Sequence, residues 1–315
     1  MGGYLLTVWV LLTLNFVLPR AMPGDPITAM LASNEAVTVD ADTRAELAAY
    51  YGMDQPVAVQ YVRYLDGLAR GDLGVSVRYR MPVTELLAGR LRWTALLVGS
   101  GMVVALGVGL AAGVHAGWRR GSRLDRRLLV ALLAVRNVPP FALASLAVLV
   151  FAVKLGWLPL GGAATPFFTG GVAAGAADVA HHLVLPAGVL AVQFSAGYFL
   201  LMRAGMVTQL GADHLLLGRA KGLSDRRLQY RYAARNALLP VVTVTAMHLS
   251  FAVTGSLFVE TVFAYPGMGR LAFDAVEARD YPVVQGCFVV FSVSVVTLNL
   301  VAELLYTRLD PRVRA

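Results

Sequence analysis

Few residues in this sequence have the spacing of a catalyst. His181 and His182 adjoin, but successive residues on a helix point about 100° apart, which is poor geometry for one metal ion, and no metal site is expected. Ser100 and Ser256 lie in apolar runs with no base at a suitable spacing, and neither Gly-x-Ser-x-Gly nor His-Glu-x-x-His occurs. No Gly-x-x-x-x-Gly-Lys-Ser/Thr loop is present, so the chain is expected to hydrolyse no ATP and to hold no cofactor. Two other features suggest work on a partner or a solute. One is the basic stretch Asp213–Pro240, which separates two apolar runs. The other is Arg136, a lone cation beside Asn137-Val-Pro-Pro-Phe141 inside a third run.

The elements that carry these residues are set by composition. The chain is 57% hydrophobic and 15% charged, with a mean hydropathy of +0.65, too little charge to cover a soluble domain of this length. Five apolar runs are long enough to cross a bilayer as helices: Trp93–Val114, Leu128–Val153, Leu183–Met202, Pro240–Val259 and Val283–Tyr306. A sixth, Tyr4–Leu18, has neither a basic start nor a small-x-small cleavage site, and is read as a retained first span within residues 1–19. The expected fold is therefore all-α, a polytopic membrane protein with six transmembrane helices. Cys287, the one cysteine, sits in the last run and is read as a packing residue.

The net charge of +8 is distributed by topology. Arg119, Arg120, Arg123, Arg126 and Arg127 crowd one loop, seven cations from Arg203 to Arg235 another, and Arg308, Arg312 and Arg314 the tail. Residues 20–92 balance eight arginines against nine acids. The positive-inside rule puts the basic regions and both termini in the cytoplasm and residues 20–92 outside. Nothing resembles a nucleic-acid module, and lipid is the expected surroundings.

Within the outer segment, Thr43–Tyr51 and Gln55–Ala69 read as short helices, Gly71-Asp-Leu-Gly74 as a turn, and Pro82 as the start of the second spanning helix. The remainder, 93–315, forms a five-helix core with its cytoplasmic loop at 203–239. In that loop Asp213 is expected to cap a short helix with Leu216, Ala220 and Leu223 on one stripe. Gly222 ends this helix, Ser224 caps the next, and Arg226–Leu239 runs without slack into Pro240. Pro139-Pro140 removes two backbone donors and should kink the third span, which suits a cavity wall better than a lipid face. Arg136 then lies about 12 Å into the bilayer at ~1.5 Å per residue. A central arginine costs ~2.5–3.5 kcal/mol there unless it snorkels or faces a cavity. Arg136, Asn137, Pro139 and Phe141 are the candidates for a solute pathway. Glu260, Glu303 and His248 read as hydrogen-bonding groups between helices, His248 satisfied by a backbone carbonyl.

A set of motifs in fixed order resembles one family. It comprises Met22-Pro-Gly-Asp-Pro, Met53-Asp-Gln-Pro, Gly71-Asp-Leu-Gly, Gly156-Trp-Leu-Pro-Leu-Gly-Gly, Arg219-Ala-Lys-Gly-Leu-Ser, Arg235-Asn-Ala-Leu-Leu-Pro, Glu260-Thr-Val-Phe-Ala-Tyr-Pro-Gly-Met-Gly-Arg, Arg279-Asp-Tyr-Pro and Leu309-Asp-Pro-Arg. Nearly the whole chain is similar to permease subunits of the dipeptide, oligopeptide and nickel branch of ABC importers. The resemblance implies a type I importer fold and half of a pore completed by a second, related permease. It also implies two cytoplasmic ATP-binding subunits and an extracytoplasmic solute-binding protein. Asp213, Leu216, Arg219, Ala220, Lys221, Gly222 and Leu223 match the coupling helix of the family's cytoplasmic EAA loop, with Ala220 and Gly222 as the small residues at its seat. Tyr232, Glu303 and Arg136 depart from the family's usual histidine, aspartate and small residue.

Peptide is the expected solute, with nickel chelates and glutathione-like molecules as alternatives, and a bacterial inner membrane the expected location. An ion-coupled secondary transporter would need carboxylates at mid-depth and an internal inverted repeat. Glu260 and Glu303 fall near the ends of their runs instead, and no repeat is evident.

Overall fold

The computed structural model describes residues 2–21, 45, 49, 54–238, 240–241, 244–245, 247–249 and 256–309. Met22–Pro26, nearly all of Thr43–Tyr51, Met53, Leu239, half of the fifth apolar run and the basic tail beyond Leu309 lie outside them. The described residues are helical apart from turns and a single bridge between Val75 and Pro82. Among the described residues three helices are long and apolar enough to cross a membrane, and a bent pair can form a fourth crossing. The expected six spans include two that this description leaves open: Leu6–Val17 is a shorter apolar helix, and the fifth run is described only in pieces.

The chain divides into two compact units. The first comprises Met1–Trp93 and Gly267–Val296. In it α1 (Gly2–Ala21) packs on α2 (Val57–Arg70) through Phe16, whose buried ring meets Tyr61 edge-on at 5.1 Å and Tyr64 at 5.5 Å. Asn15 donates to the Tyr64 hydroxyl at 3.1 Å and to the Gln285 carbonyl at 2.9 Å. α2 starts after Pro56 and stops at Gly71, whose φ of 74° turns the chain as expected of Gly71–Gly74. Asp280, buried before α11 (Tyr281–Leu309), accepts from the Ser76 hydroxyl at 2.5 Å and the Arg78 amide at 3.0 Å. The Arg279-Asp-Tyr-Pro motif thus holds the turn that feeds α3 (Val83–Trp118). α10 (Met268–Glu277) completes this unit.

The second unit comprises Thr94–Pro266 and Thr297–Ala315. Its axis is the pairing of α3 with α6 (Val172–Gln209). Gly109, Gly113 and Gly117 recur every fourth residue, on one helical face. A Cβ on them would lie 2.7 Å from Tyr198, 2.7 Å from Met202 and 2.5 Å from Met206. Small residues at this spacing let backbones approach where lipid supplies no hydrophobic drive, and van der Waals packing then holds the pair.

The third apolar run bends at its prolines as expected, and the bend is a complete break that leaves either a broken span or a re-entrant loop. α4 (Arg123–Arg136) and α5 (Pro140–Lys154, π-helical from Val148) meet at 101°. Neither proline donates a backbone hydrogen bond, and the residue before a proline avoids the helical region, so the ladder ends altogether. The Asn137 side chain closes α4 on the Leu133 carbonyl at 2.8 Å, and Pro139 serves as N-cap of α5.

Two motif segments meet at the far end of α5. Gly162 donates to the Phe263 carbonyl at 2.8 Å, just past α9 (Leu257–Val262), and a side chain on Gly161 would collide with that carbonyl. Glu260 is fully buried and accepts from Thr94 at 2.7 Å and Ser256 at 2.9 Å, which makes it the interhelical hydrogen-bonding group expected of it. Burial, with the Glu260 carboxylate nearby, pushes the Tyr265 phenol up to about 12.

Candidate functional site

The basic insertion after α6 is a helix pair, α7 (Asp213–Ala220) and α8 (225–237), the latter α-helical at each end and π-helical over Leu228–Ala234. Ala212, in extended conformation, caps α7 and accepts from the Leu215 amide at 3.0 Å. Asp213 is the first helical residue rather than the cap, where its carboxylate favours the positive helix end. At the other end the Gly222 amide reaches the Arg219 carbonyl at 2.9 Å and the Leu223 amide the Gly218 carbonyl at 3.1 Å, with Gly222 at φ 73°. This is a Schellman closure, and its left-handed position is why a glycine stands there. Leu223 consequently folds back over Gly218 and is half-buried instead of extending the stripe of Leu216 and Ala220.

One face of α7 is closed by packing. Leu215 is 1% exposed, and a Cβ on Gly218 would lie 2.5 Å from the buried Leu228 side chain of α8. The opposite face is open: Asp213, Leu216, Leu217, Arg219, Ala220, Lys221 and Gly222 are exposed, with Leu216 at 56% and Leu217 at 57%. Two exposed leucines beside cations make this face amphipathic. On α8, Ser224, Arg226, Arg227, Tyr230 and Arg231 line a basic recess of about 610 Å³.

Three contacts tie this pair to the long helices, and a fourth joins its two members. Gln229 donates to the Val114 carbonyl of α3 at 3.4 Å. His115 sits 2.8 Å from the Ala111 carbonyl through Nδ1, which must carry the proton, so Nε2 of the neutral ring accepts from the Tyr230 hydroxyl at 3.1 Å. Asn236 meets His214 at 3.4 Å, and Ala237 seats on Gly205 of α6, where a Cβ would lie 3.0 Å away. The bidentate pair of Arg203 with buried Asp125, at 2.5 and 2.8 Å, fixes α6 to the start of α4. Residues 240–241 and 247–249 beyond the pair are helical.

The break between α4 and α5 borders a cavity of about 390 Å³ lined by Arg136, Pro140, Leu190, Gln193, Phe194, Gly197 and His248. Of the pathway candidates, Arg136 reaches the cavity wall. Asn137 and Pro139 are exposed beside it, and Phe141 is exposed with its ring 6.5 Å from that of Phe258. Gln193 donates to the Val138 carbonyl at 2.9 Å, so α6 caps the exposed end of the break. His248 does not follow expectation. Its Nδ1 is buried without a hydrogen-bond partner among the described residues, and its ring is held against Phe194 and Tyr198 at 5.6 and 4.9 Å.

Sequence reasoning missed Gly218, Asp125, Gln193 and the Gly109–Gly117 series. The last has a legible signal, small residues every fourth position. The partners of the others lie ten, 78 and 55 residues away, and no local pattern announces them.

Glycine-paired apolar helices carrying a helix pair on one loop define a polytopic helical membrane protein. Residues 105–315 match the family described as binding-protein-dependent transport system inner membrane component, and the chain belongs to it. It is 38% identical over 313 residues to a Brucella suis biovar 1 protein bearing a peptide permease name, covering 99% of this chain and 95% of that one. It is 36% identical to the oligopeptide transport system permease protein AppB of Bacillus subtilis, over 95% of this chain and 93% of the relative. With the glutathione transport system permease protein GsiC of Escherichia coli K12 it shares 35% identity over 99% and 96%. A solved chain of the MetNI methionine ABC transporter, in inward-facing conformation, superposes with a TM-score of 0.59 at 15% identity, covering 71% of this chain and 96% of that one. The fold is that of a type I ABC importer permease, and the chain is a multi-pass inner-membrane transport subunit.

Proposed function

We propose that this chain forms half of a peptide translocation pathway across the cytoplasmic membrane and that α7 receives the push that drives it. A second, related permease completes the pore, an extracytoplasmic binding protein delivers the solute, and two cytoplasmic ATP-binding subunits hydrolyse the ATP. The chain crosses six times with both termini in the cytoplasm, as the clustering of arginine in alternate loops supports. Peptide is the solute class borne in the names of the Brucella and Bacillus relatives, and the GsiC name favours a glutathione-like peptide as the second reading.

The observation that carries this reading is the asymmetry of α7. Its inner face is closed onto α8 through Gly218 and Leu228, and its outer face, Asp213 to Gly222, is open. A helix built this way transmits displacement instead of absorbing it, because packed interiors compress little. Leu216, Arg219, Ala220 and Lys221 seat in the ATPase subunit, Leu223 and Gly222 close the helix, and Asp213 opens it. Arg136, Asn137, Pro139 and Phe141 line the pathway that the movement exposes.

Replacing Gly222 with leucine puts a side chain at φ 73° on the docking face. The backbone strain is ~1 kcal/mol, and the steric block at the seat adds to it. ATP-dependent uptake in reconstituted vesicles should fall to background while the chain still inserts and assembles with its permease partner. Uptake within about twofold of the unsubstituted complex would remove the coupling role.

A further inference from the structure

The cavity at the α4–α5 break holds one cation, one imidazole and one amide, Gln193, against an otherwise apolar wall. Arg136 is exposed, and among the described residues it has no carboxylate partner and the lining has no acid. His248 is placed by Gly197, where a Cβ would lie 3.0 Å from its Cε1, and is clamped between Phe194 and Tyr198. Gln193 is committed by its amide nitrogen to Val138. An arginine facing a partly enclosed space without a counter-ion is costly in a membrane protein unless a ligand supplies the charge. The guanidinium offers a planar fork that matches a carboxylate in two hydrogen bonds.

We propose that Arg136, with His248 beside it, forms a carboxylate-recognition site on the translocation pathway, and that Leu190, Pro140 and Phe194 receive the apolar part of the same solute. This deepens the transport reading above and rests on the α4–α5 break lining the pathway. The solute is a short peptide or similar molecule held by its terminal carboxylate. Binding is loose enough for release because the cavity is open on one side and a single cation holds the charge.

The test uses the full complex in membrane vesicles, with Cys287→Ala removing the chain's own cysteine and Phe194→Cys placing a thiol in the cavity wall. Its labelling rate is measured with anionic sulfonatoethyl methanethiosulfonate and cationic trimethylammonioethyl methanethiosulfonate. Arg136→Gln should lower the anionic-to-cationic rate ratio about tenfold, the effect of one elementary charge at a partly hydrated site, and Arg136→Lys should restore most of it. Dialanine with a free carboxylate should slow labelling at least about threefold more than dialanine amide, and Arg136→Gln should abolish that difference. A ratio unchanged within about twofold in Arg136→Gln overturns the site and leaves the pathway reading standing. Equal or absent protection by the two peptides overturns it as well. A thiol that neither reagent reaches shows the cavity closed to water, and the pathway reading then fails with the site.

Discussion

Two places in this chain interrupt a helix, and they resolve the interruption in opposite ways. Between α7 and α8 the turn is closed: a glycine lets Leu228 occupy the place of a side chain at Gly218, and a Schellman motif satisfies the free carbonyls. Between α4 and α5 the turn is open: two prolines end the ladder, helices part at 101°, and polar side chains border the cavity left behind. On the proposed function, the packed joint passes on motion and the opened joint makes room for a solute. The difference follows from what replaces the lost backbone bonds, the Schellman closure in one case and the side chains of Asn137 and Gln193 in the other.

The largest effect is expected where the open joint is anchored. Asp125→Ala leaves Arg203 without its buried partner and should destabilise the solubilised complex by ~3–5 kcal/mol, read as a lowered melting temperature. A loss below ~1 kcal/mol would mean that α4 is held from elsewhere. Next comes Gly218→Val, which drives a branched side chain into Leu228. It should cost up to ~3 kcal/mol and uncouple ATP hydrolysis from uptake, since α7 can no longer seat on α8. Coupled transport at the normal rate in this variant would show that the closed joint is not what transmits force. The smallest effect belongs to Gln193→Leu. The Val138 carbonyl it exposes borders a cavity that water can enter, so the cost should stay near ~1 kcal/mol, with solute uptake altered more than stability. Equal destabilisation by Gly218→Val and Gln193→Leu would erase the distinction between the two joints.

Much of this was legible residue by residue. The apolar runs marked the long helices, though α3 begins at Val83, ten residues ahead of its run, and α6 exceeds its run at both ends. The helix read at Gln55–Ala69 lies at Val57–Arg70, and the αL glycines at Gly71 and Gly222 stand where the turn chemistry puts them. Asp213 was read as a cap because acids favour that position, but the extended residue is Ala212, and only backbone geometry separates the two. The double proline signalled a departure from a straight helix. How far the chain turns depended on Gln193 and Asn137 supplying hydrogen bonds, and the first of these comes from another helix. The π-helical stretches at Val148 and Leu228 carry no recognisable composition.

By itself the sequence determined the class. Hydropathy compelled membrane helices, the placement of arginine set the expected orientation of the loops, and glycine and proline marked where helices stop, because each depends only on local chemistry and the energy of leaving water. Tertiary structure decided which of those stops is solid and which is hollow. That outcome depends on Leu228 reaching Gly218, Arg203 reaching Asp125 and Gln193 reaching Val138, pairings that arise only when distant helices pack.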